Sequence, residues 1–505
     1  MSYVLGIDLG TSSLKGLVLN KNGEIVETEQ YSYPLIQEKI GYSEQNPKFW
    51  VEALENVINN LSSKISDFTE NLEGISFSGQ MHSLVLLDKC GNVLRNAILW
   101  NDVRTTAECN EIMKDSLKLF EITKNRALEG FTLPKIMWVQ KNEKEIWDNV
   151  RHILLPKDYL SFWLTGEYVT DYSDASGTLL LDLNKNEWSS YQLEKYDIPK
   201  EYMPKLLGSY ELVGTIKDEL KTKFNFKKNI KIFAGGADNA CAALTTGIYD
   251  ENKAMVSIGT SGVFLTLENN VDKEYNGKLH VFNHVIKGLY YSMGVTLSAG
   301  HSLEWFRKTF AKNSNFDELL EKIDEIPAGS NGLLFTPYIV GERTPHIDAN
   351  IRGSFIGIDT SHNLNHFTKS VVEGITFSLK DSQELINEIT NKKINEVISI
   401  GGGAKNKKWL QLQADIFGLN VKTVSVEQGP SLGAAMLSAL GLSWYKNELE
   451  CIKSLINYSN SYTPDNDKKE KYKNIYGIYK KIYDNTNLIC KEINNKGVRN
   501  GNNKG

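Results

Sequence analysis

Cysteine is scarce: five residues in 505, at positions 90, 109, 241, 451 and 490, with no Cys-x-x-Cys pair. This excludes a disulfide frame and a cysteine zinc site, and predicts a reduced, cytoplasmic chain. Proline is scarcer still beside glycine, 11 against 39. The chain is therefore not rich in linkers, and its glycines belong to structured turns or ligand loops. No apolar run approaches the roughly 18 residues of a membrane helix. The chain enters a strand pattern at once (Tyr3-Val4-Leu5-Gly6-Ile7), so no signal peptide is expected. Positive charge is not in excess: 57 Lys+Arg against 62 Asp+Glu leaves a net −5, which argues against a dedicated nucleic-acid binder. The histidines do not cluster at ligand spacing, so no tightly held transition metal is expected. What is present, 41% hydrophobic and 24% charged residues, is a folded chain long enough for two or three domains.

Pattern then divides the chain. Tyr3 to Leu9, Leu14 to Leu19 and Glu24 to Tyr31 read as strands, with Asn22-Gly23 as a hairpin turn. Asn46-Pro47 opens a helix with Asn as cap, and its apolar positions Trp50, Leu54, Val57, Leu61 and Ile65 recur at three and four. Gly74 to Leu87 reads as a further strand region. The second half repeats this order: a strand from Lys253 to Ser257, a turn at Gly259-Thr260-Ser261-Gly262 and a return strand from Val263 to Leu267. Helices are expected near Leu303 to Phe310 and Thr368 to Ile389. Two short helices rich in small residues, beginning at Asp238 and Ser431, are expected to cross between two homologous lobes. The boundary falls near 247, giving lobes 1–247 and 248–493 and a disordered tail 494–505.

Three glycine loops have the chemistry of a nucleotide site. Gly10, Thr11 and Ser12 form the first turn, and Gly259 and Thr260 stand in the second. The third is Gly401-Gly402-Gly403-Ala404-Lys405-Asn406, between a strand and a helix start, where an anion or a planar base can lie against the backbone. None is a Walker loop or a Rossmann fingerprint. Asp8 has two readings: closing its turn, or holding Mg²⁺ through water beside phosphates. Asp238, after Gly235-Gly236-Ala237, reads as a helix N-cap, as a general base, or as both, since a helix N-terminus favours the ionised carboxylate that a base must be.

Longer stretches carry a resemblance. Gly130-Phe131-Thr132-Leu133-Pro134-Lys135-Ile136-Met137-Trp138 and Gly353-Ser354-Phe355-Ile356-Gly357-Ile358, the latter followed by His366-Phe367 and Ser370-Val371-Val372-Glu373, are similar to the two signatures of the FGGY carbohydrate kinases. The resemblance covers roughly residues 3 to 485. Within that family, five stretches resemble xylulokinases: Gly79-Gln80-Met81-His82, Ile98 to Asp102, Leu154 to Leu160, Ser173 to Thr178, and Gly341 to His346.

The resemblance implies an α/β fold of two duplicated actin/hexokinase-like (ribonuclease H-like) lobes around a catalytic cleft. It also implies ATP-dependent phosphorylation of D-xylulose at its 5-hydroxyl, with Mg²⁺. By the same resemblance Asp238 matches the catalytic base and Asp8 a second required carboxylate. Met81 and His82 match the ketose-binding pair, and Thr260 and the Gly401 to Lys405 loop match ATP-site positions. A polyol substrate needs donors and acceptors on the pocket wall, which His82, Asn101, Asp102 and Asn239 offer, with Trp100 to pack on its apolar side or in the core. Ser83 departs from the glycine usual after the Met-His pair and is expected to point away, on the opposite face of a strand. The alternatives are an FGGY kinase of a ribulose, glycerol, gluconate or tetritol, and an actin-like ATP-binding module without catalysis. The expected partners are ATP and a small sugar, with a homodimer as an option and neither nucleic acid nor membrane.

Overall fold

Strands Tyr3–Leu9 and Ser13–Asn20 close the first hairpin in a computed structural model that describes residues 1–495. The first strand is buried on both faces, at Val4, Leu5, Ile7 and Leu9, and the hairpin is closed by the Gly10 N–H donating to the Ser13 carbonyl. Ile25–Ser32 adds the third strand. The expected helix spans Pro47–Lys64, with Asn46 accepting from the Lys48 N–H and Trp50, Leu54, Val57 and Leu61 buried on one stripe. The Gly74 to Leu87 region is two strands, Leu72–Gly79 and Val85–Leu87. The break is a turn in which His82 takes a φ of 68°.

The chain forms two compact units, Met1–Tyr249 with Glu268–Tyr291 and Gln428–Ile456, and Asp250–Leu267 with Ser292–Glu427 and Asn457–Gly505. The expected boundary near 247 falls close to the first crossing between them, but two later segments return to the first unit. The first unit's sheet runs in the order Ser13–Asn20, Tyr3–Leu9, Leu72–Gly79, Lys231–Phe233, Leu212–Thr215, with Ile25–Ser32 outside Ser13–Asn20. Successive pairs along the five are antiparallel, parallel, parallel, antiparallel. In the second unit Gly262–Glu268, Lys253–Ile258, Glu396–Gly401, Asn420–Val424 and Tyr458–Tyr462 follow with the same sequence of directions. The repeat legible at the two hairpins thus extends over five strands in each unit. The fold is mixed α/β, two sheets forming an N-terminal and a C-terminal lobe.

Helices Gly300–Phe310 and Leu364–Thr390 stand in the second unit near their expected places. The two helices of small residues, Asp238–Thr245 and Pro430–Gly441, do pack together. By compactness both belong to the first unit. Pro430–Gly441 lies on the first sheet, where a Cβ on Gly6 would stand 2.1 Å from the Ser431 carbonyl oxygen and one on Gly74 2.7 Å from Ser438 Oγ. At the helix crossing, a Cβ on Gly433 would stand 2.5 Å from the Cys241 carbonyl oxygen. Gly433→Ala is therefore expected to destabilise the chain by about 1–3 kcal/mol despite the better helix former. Urea unfolding checks this, and an unchanged midpoint would show that the crossing tolerates a wider spacing.

Among the described residues no helix is long and apolar enough to cross a membrane. The expected disordered tail falls mostly outside the described residues. Its first two residues, Asn494 and Asn495, instead end the helix Lys481–Asn495, and the Asn494 amide donates to the Asn350 carbonyl.

Candidate active site

Asp8 stands in the second-to-last position of its strand, opposite Lys15 in the hairpin register. Burial raises its pKa to about 6, against the pull of Lys15. Lys15 is itself tied by its ammonium to the Gln428 carbonyl and side chain, at 3.2 and 2.7 Å. Asp238 is the first residue of its helix. The N-cap position falls on Ala237, which makes no side-chain capping bond, and the Asp238 carboxylate, one residue later, accepts from the Asn239 N–H at 2.7 Å. Asp238 thus stands one position inside the expected cap and still accepts a helix N-terminal N–H. Burial, then the charge of Asp8, raises the Asp238 pKa to about 7. Loss of hydration outweighs the helix N-terminus here, contrary to the expectation that the dipole would favour ionisation.

The Met81-His82 turn lies beside Asp238. The Asn239 amide donates to Asp238 Oδ1 at 3.0 Å and reaches Met81 Sδ at 3.9 Å, and the Tyr291 hydroxyl reaches the same sulfur at 3.8 Å. His82 Nδ1 is 2.6 Å from the Gly177 carbonyl oxygen. A carbonyl only accepts, so Nδ1 carries a proton, which in a neutral ring makes Nε2 the acceptor. The ring rests on Phe131 and Phe282, with centroids 4.5 and 5.7 Å away. The His82 carbonyl accepts from Thr132 Oγ1 at 2.9 Å. The buried Lys135 ammonium donates to the carbonyls of Gly130 and Phe131 and, at 3.5 Å, to that of His82. Burial lowers the Lys135 pKa to about 7. The sequence marked Thr132 and Lys135 only as part of a signature; their work is to hold the His82 turn.

The 100–102 segment divides its roles. Trp100 is 42% exposed, which excludes core packing, and its indole N–H donates to Thr11 Oγ1 at 2.9 Å. Asn101 Oδ1 is buried and has no hydrogen-bond partner among the described residues. Asp102 is fully occupied: its oxygens accept from the Ser43 N–H and from the Arg104 backbone and guanidinium. Ser83 is buried in the turn, not on a strand, and its hydroxyl accepts from the Trp100 N–H at 3.1 Å. That bond ties the Met81-His82 turn to the 100–102 segment.

The glycine turns share a construction. In the first, the Gly10 carbonyl accepts from the Tyr33 hydroxyl at 2.6 Å and the Thr11 carbonyl from the Gln45 amide at 2.6 Å, while Ser12 is exposed. In the second unit, the Gly259 carbonyl accepts from the Gly300 N–H, and the Thr260 carbonyl from the N–H groups of Ala299 and His301. Gly259 and Thr260 are exposed. Carbonyls bonded from behind leave a turn that does not repel an anion at its tip. The third loop is a 3₁₀ turn, Gly402–Ala404, with Gly402 exposed. Gly403 is buried, and a Cβ on it would stand 2.7 Å from Ile258, so it is a packing glycine beneath the second hairpin. Asn406 caps the next helix, accepting from the N–H groups of Lys408 and Trp409, and the Glu427 carboxylate accepts from the Gly401 N–H at 2.7 Å.

Among the described residues no group of three or more His, Cys, Asp or Glu is arranged to hold a metal ion. Asp8, whose charge helps to raise the Asp238 pKa, offers a carboxylate suited to a hydrated Mg²⁺ ion and unsuited to a tightly ligated transition metal.

Comparison with known proteins gives this geometry a context. The N-terminal domain pattern of the FGGY family of carbohydrate kinases matches residues 3–245, and the C-terminal domain pattern matches residues 254–442. The chain is 50% identical over 496 residues to a xylulose kinase of Lactococcus lactis subsp. lactis (strain IL1403), covering 98% of this chain and 99% of that protein. Its fold is similar to that of a ligand-bound xylulose kinase from Lactobacillus acidophilus, with a TM-score of 0.93, 28% identity and coverage of 98% and 100%. It is also similar to a gluconate kinase from Lactobacillus acidophilus, with a TM-score of 0.91, 29% identity and coverage of 96% and 98%.

Proposed function

Because the chain belongs to the FGGY family of carbohydrate kinases, we propose that it transfers the γ-phosphoryl group of ATP to the 5-hydroxyl of D-xylulose, with Asp238 as general base. The observation that carries this is the Asn239 amide, which touches both the Asp238 carboxylate and the Met81 sulfur and so sets the base beside the sugar pair. The choice of sugar rests on the relatives named xylulose kinases.

Phosphoryl transfer depends on positioning and electrostatics more than on covalent help. His82 Nε2, Asn239 and the unpartnered Asn101 Oδ1 would meet the sugar's hydroxyls. Trp100 would lie along the carbon chain, and Asp102 would serve by holding the segment through Arg104. Asp238, ionised, takes the proton of the attacking hydroxyl. Gly10, Thr11, Ser12, Gly259 and Thr260 would face phosphates, with Gly402, Ala404 and Asn406 beside the adenosine. Mg²⁺, held through water near Asp8, would neutralise charge on the phosphate oxygens.

A coupled ADP assay with D-xylulose, a ribulose, glycerol, gluconate and a tetritol tests the reading. D-xylulose is expected to give the highest kcat/KM. The similarity to the gluconate kinase supports the second reading, and preference for gluconate or another member of the panel would replace the sugar while leaving the chemistry. The base also sets a pH profile. kcat/KM for the sugar is expected to rise with pH through about 7, the pKa of Asp238, and to level above it. Asp8→Asn removes one of the causes that raise that pKa, so the acid limb of the residual activity is expected to move to lower pH. An unmoved limb would mean that another group titrates.

A further inference from the structure

The first unit holds a buried charge cluster that the reaction as described does not use. Lys157 is fully buried, with its ammonium 2.5 Å from Asp158 Oδ1, 2.9 Å from Asp171 Oδ1 and 3.6 Å from Asp174 Oδ2. Burial alone would lower the pKa of this lysine, but the three carboxylates outweigh it and hold it above its ordinary value. Four ionisable groups in a dry interior are costly to keep unless their geometry serves something.

Their geometry leads to the base. Asp171 Oδ2 accepts from the Ser173 hydroxyl at 2.5 Å, from the Ser173 N–H at 2.9 Å and from the Ser209 hydroxyl at 2.9 Å. The Ser173 proton is thus committed to Asp171, which turns a lone pair of its oxygen outward. That oxygen accepts from the Ala237 N–H at 2.9 Å. Ala237 is the N-cap residue of the Asp238 helix. The approach is close: a Cβ on Gly236 would stand 3.3 Å from Ser173 Oγ, and 2.3 Å from Val285. The two glycines before Ala237 contribute little stiffness, Gly235 having a φ of 79°, and the helix they lead into has only eight residues.

We propose that Ser173, oriented by the buried Lys157–Asp171 pair, is a positioning residue for the reaction, fixing the start of the Asp238 helix and so the direction of the Asp238 carboxylate. The inference rests on Asp238 being the base, as proposed above. Lys157 cannot test it cleanly, because its removal would leave three carboxylates buried without a counter-charge. Ser173→Ala removes the link and keeps every charge.

The experiment measures kcat and KM of Ser173→Ala, Ser173→Thr and Asp238→Asn with the sugar that the panel selects, each normalised to nucleotide-binding sites so that unfolded chains do not count. For Ser173→Ala, kcat is expected to fall by about 10- to 100-fold, with both KM values within about twofold of the parent. Ser173→Thr keeps the hydroxyl and is expected to recover most of that loss. Parental kcat per site in Ser173→Ala, or an equal loss in Ser173→Thr, would overturn the positioning role. If Asp238→Asn keeps its turnover, the assignment of the base has failed instead, and the positioning role falls with it.

Discussion

Asp238→Asn is expected to lower kcat by about 10²- to 10⁴-fold, the usual share of a general base, and to leave ATP binding intact. It is also expected to raise thermal stability at pH 8. The carboxyl holds its proton up to about pH 7 in the folded chain, against an ordinary value of 3.8. A group whose folded pKa is raised contributes stability that is complete below its unfolded pKa and lost as pH rises through the folded one. At pH 8 the folded enzyme therefore bears an ionised carboxylate beside Asp8 in a poorly hydrated place, and asparagine removes it. The gain in melting temperature is expected to be larger at pH 8 than at pH 5. A variant that melts lower at both pH values and keeps its specific activity would make Asp238 a structural residue.

Gly177→Ala is expected to lower kcat/KM for the sugar by about 100-fold, since an ångström of misplacement in a site costs that much. A Cβ there would stand 2.7 Å from His82 Nδ1 and 3.1 Å from the Met81 methyl group. Neither neighbour can yield easily. The His82 backbone is already in the left-handed region and its carbonyl is held by Thr132, while Met81 is buried against Asn239 and Tyr291. The Nδ1–H bond to the Gly177 carbonyl fixes the tautomer, so a displaced ring would offer the sugar the wrong nitrogen face. Nucleotide affinity measured without sugar is expected to stay within about threefold, because the residues proposed for ATP lie elsewhere. A kcat/KM within about threefold of the parent would show that His82 moves freely and does not orient the sugar.

Local chemistry was legible where it is written in neighbouring residues. The Asn46-Pro47 helix start, the two hairpins and the Gly402–Ala404 turn before a capped helix all stand where pattern placed them. What depends on distant partners was not. Nothing near Gly6 or Gly74 announces that a helix from position 430 lies on them. The protonation of Asp238 followed from its helix position only until burial, which the sequence does not display, reversed the sign. Asp102 looked like a pocket carboxylate because its two-residue spacing from Arg104 permits a bidentate pair without announcing one. A signal was available for the buried cluster: Lys157-Asp158 interrupts the apolar run Leu154 to Leu160, where a solvent-facing charge has no place.

The Pro430–Gly441 helix has a consequence for biogenesis. Three of the strands it covers are complete by residue 79, yet their cover is encoded some 350 residues later. At about 5–20 residues per second, a ribosome takes tens of seconds to deliver it. Through that interval the nascent chain carries an apolar sheet face with no native partner, the kind of surface that chaperones bind. Completion of the N-terminal lobe is therefore a late event of synthesis, and a ribosome that stalls before residue 430 releases an aggregation-prone fragment in place of a folded half.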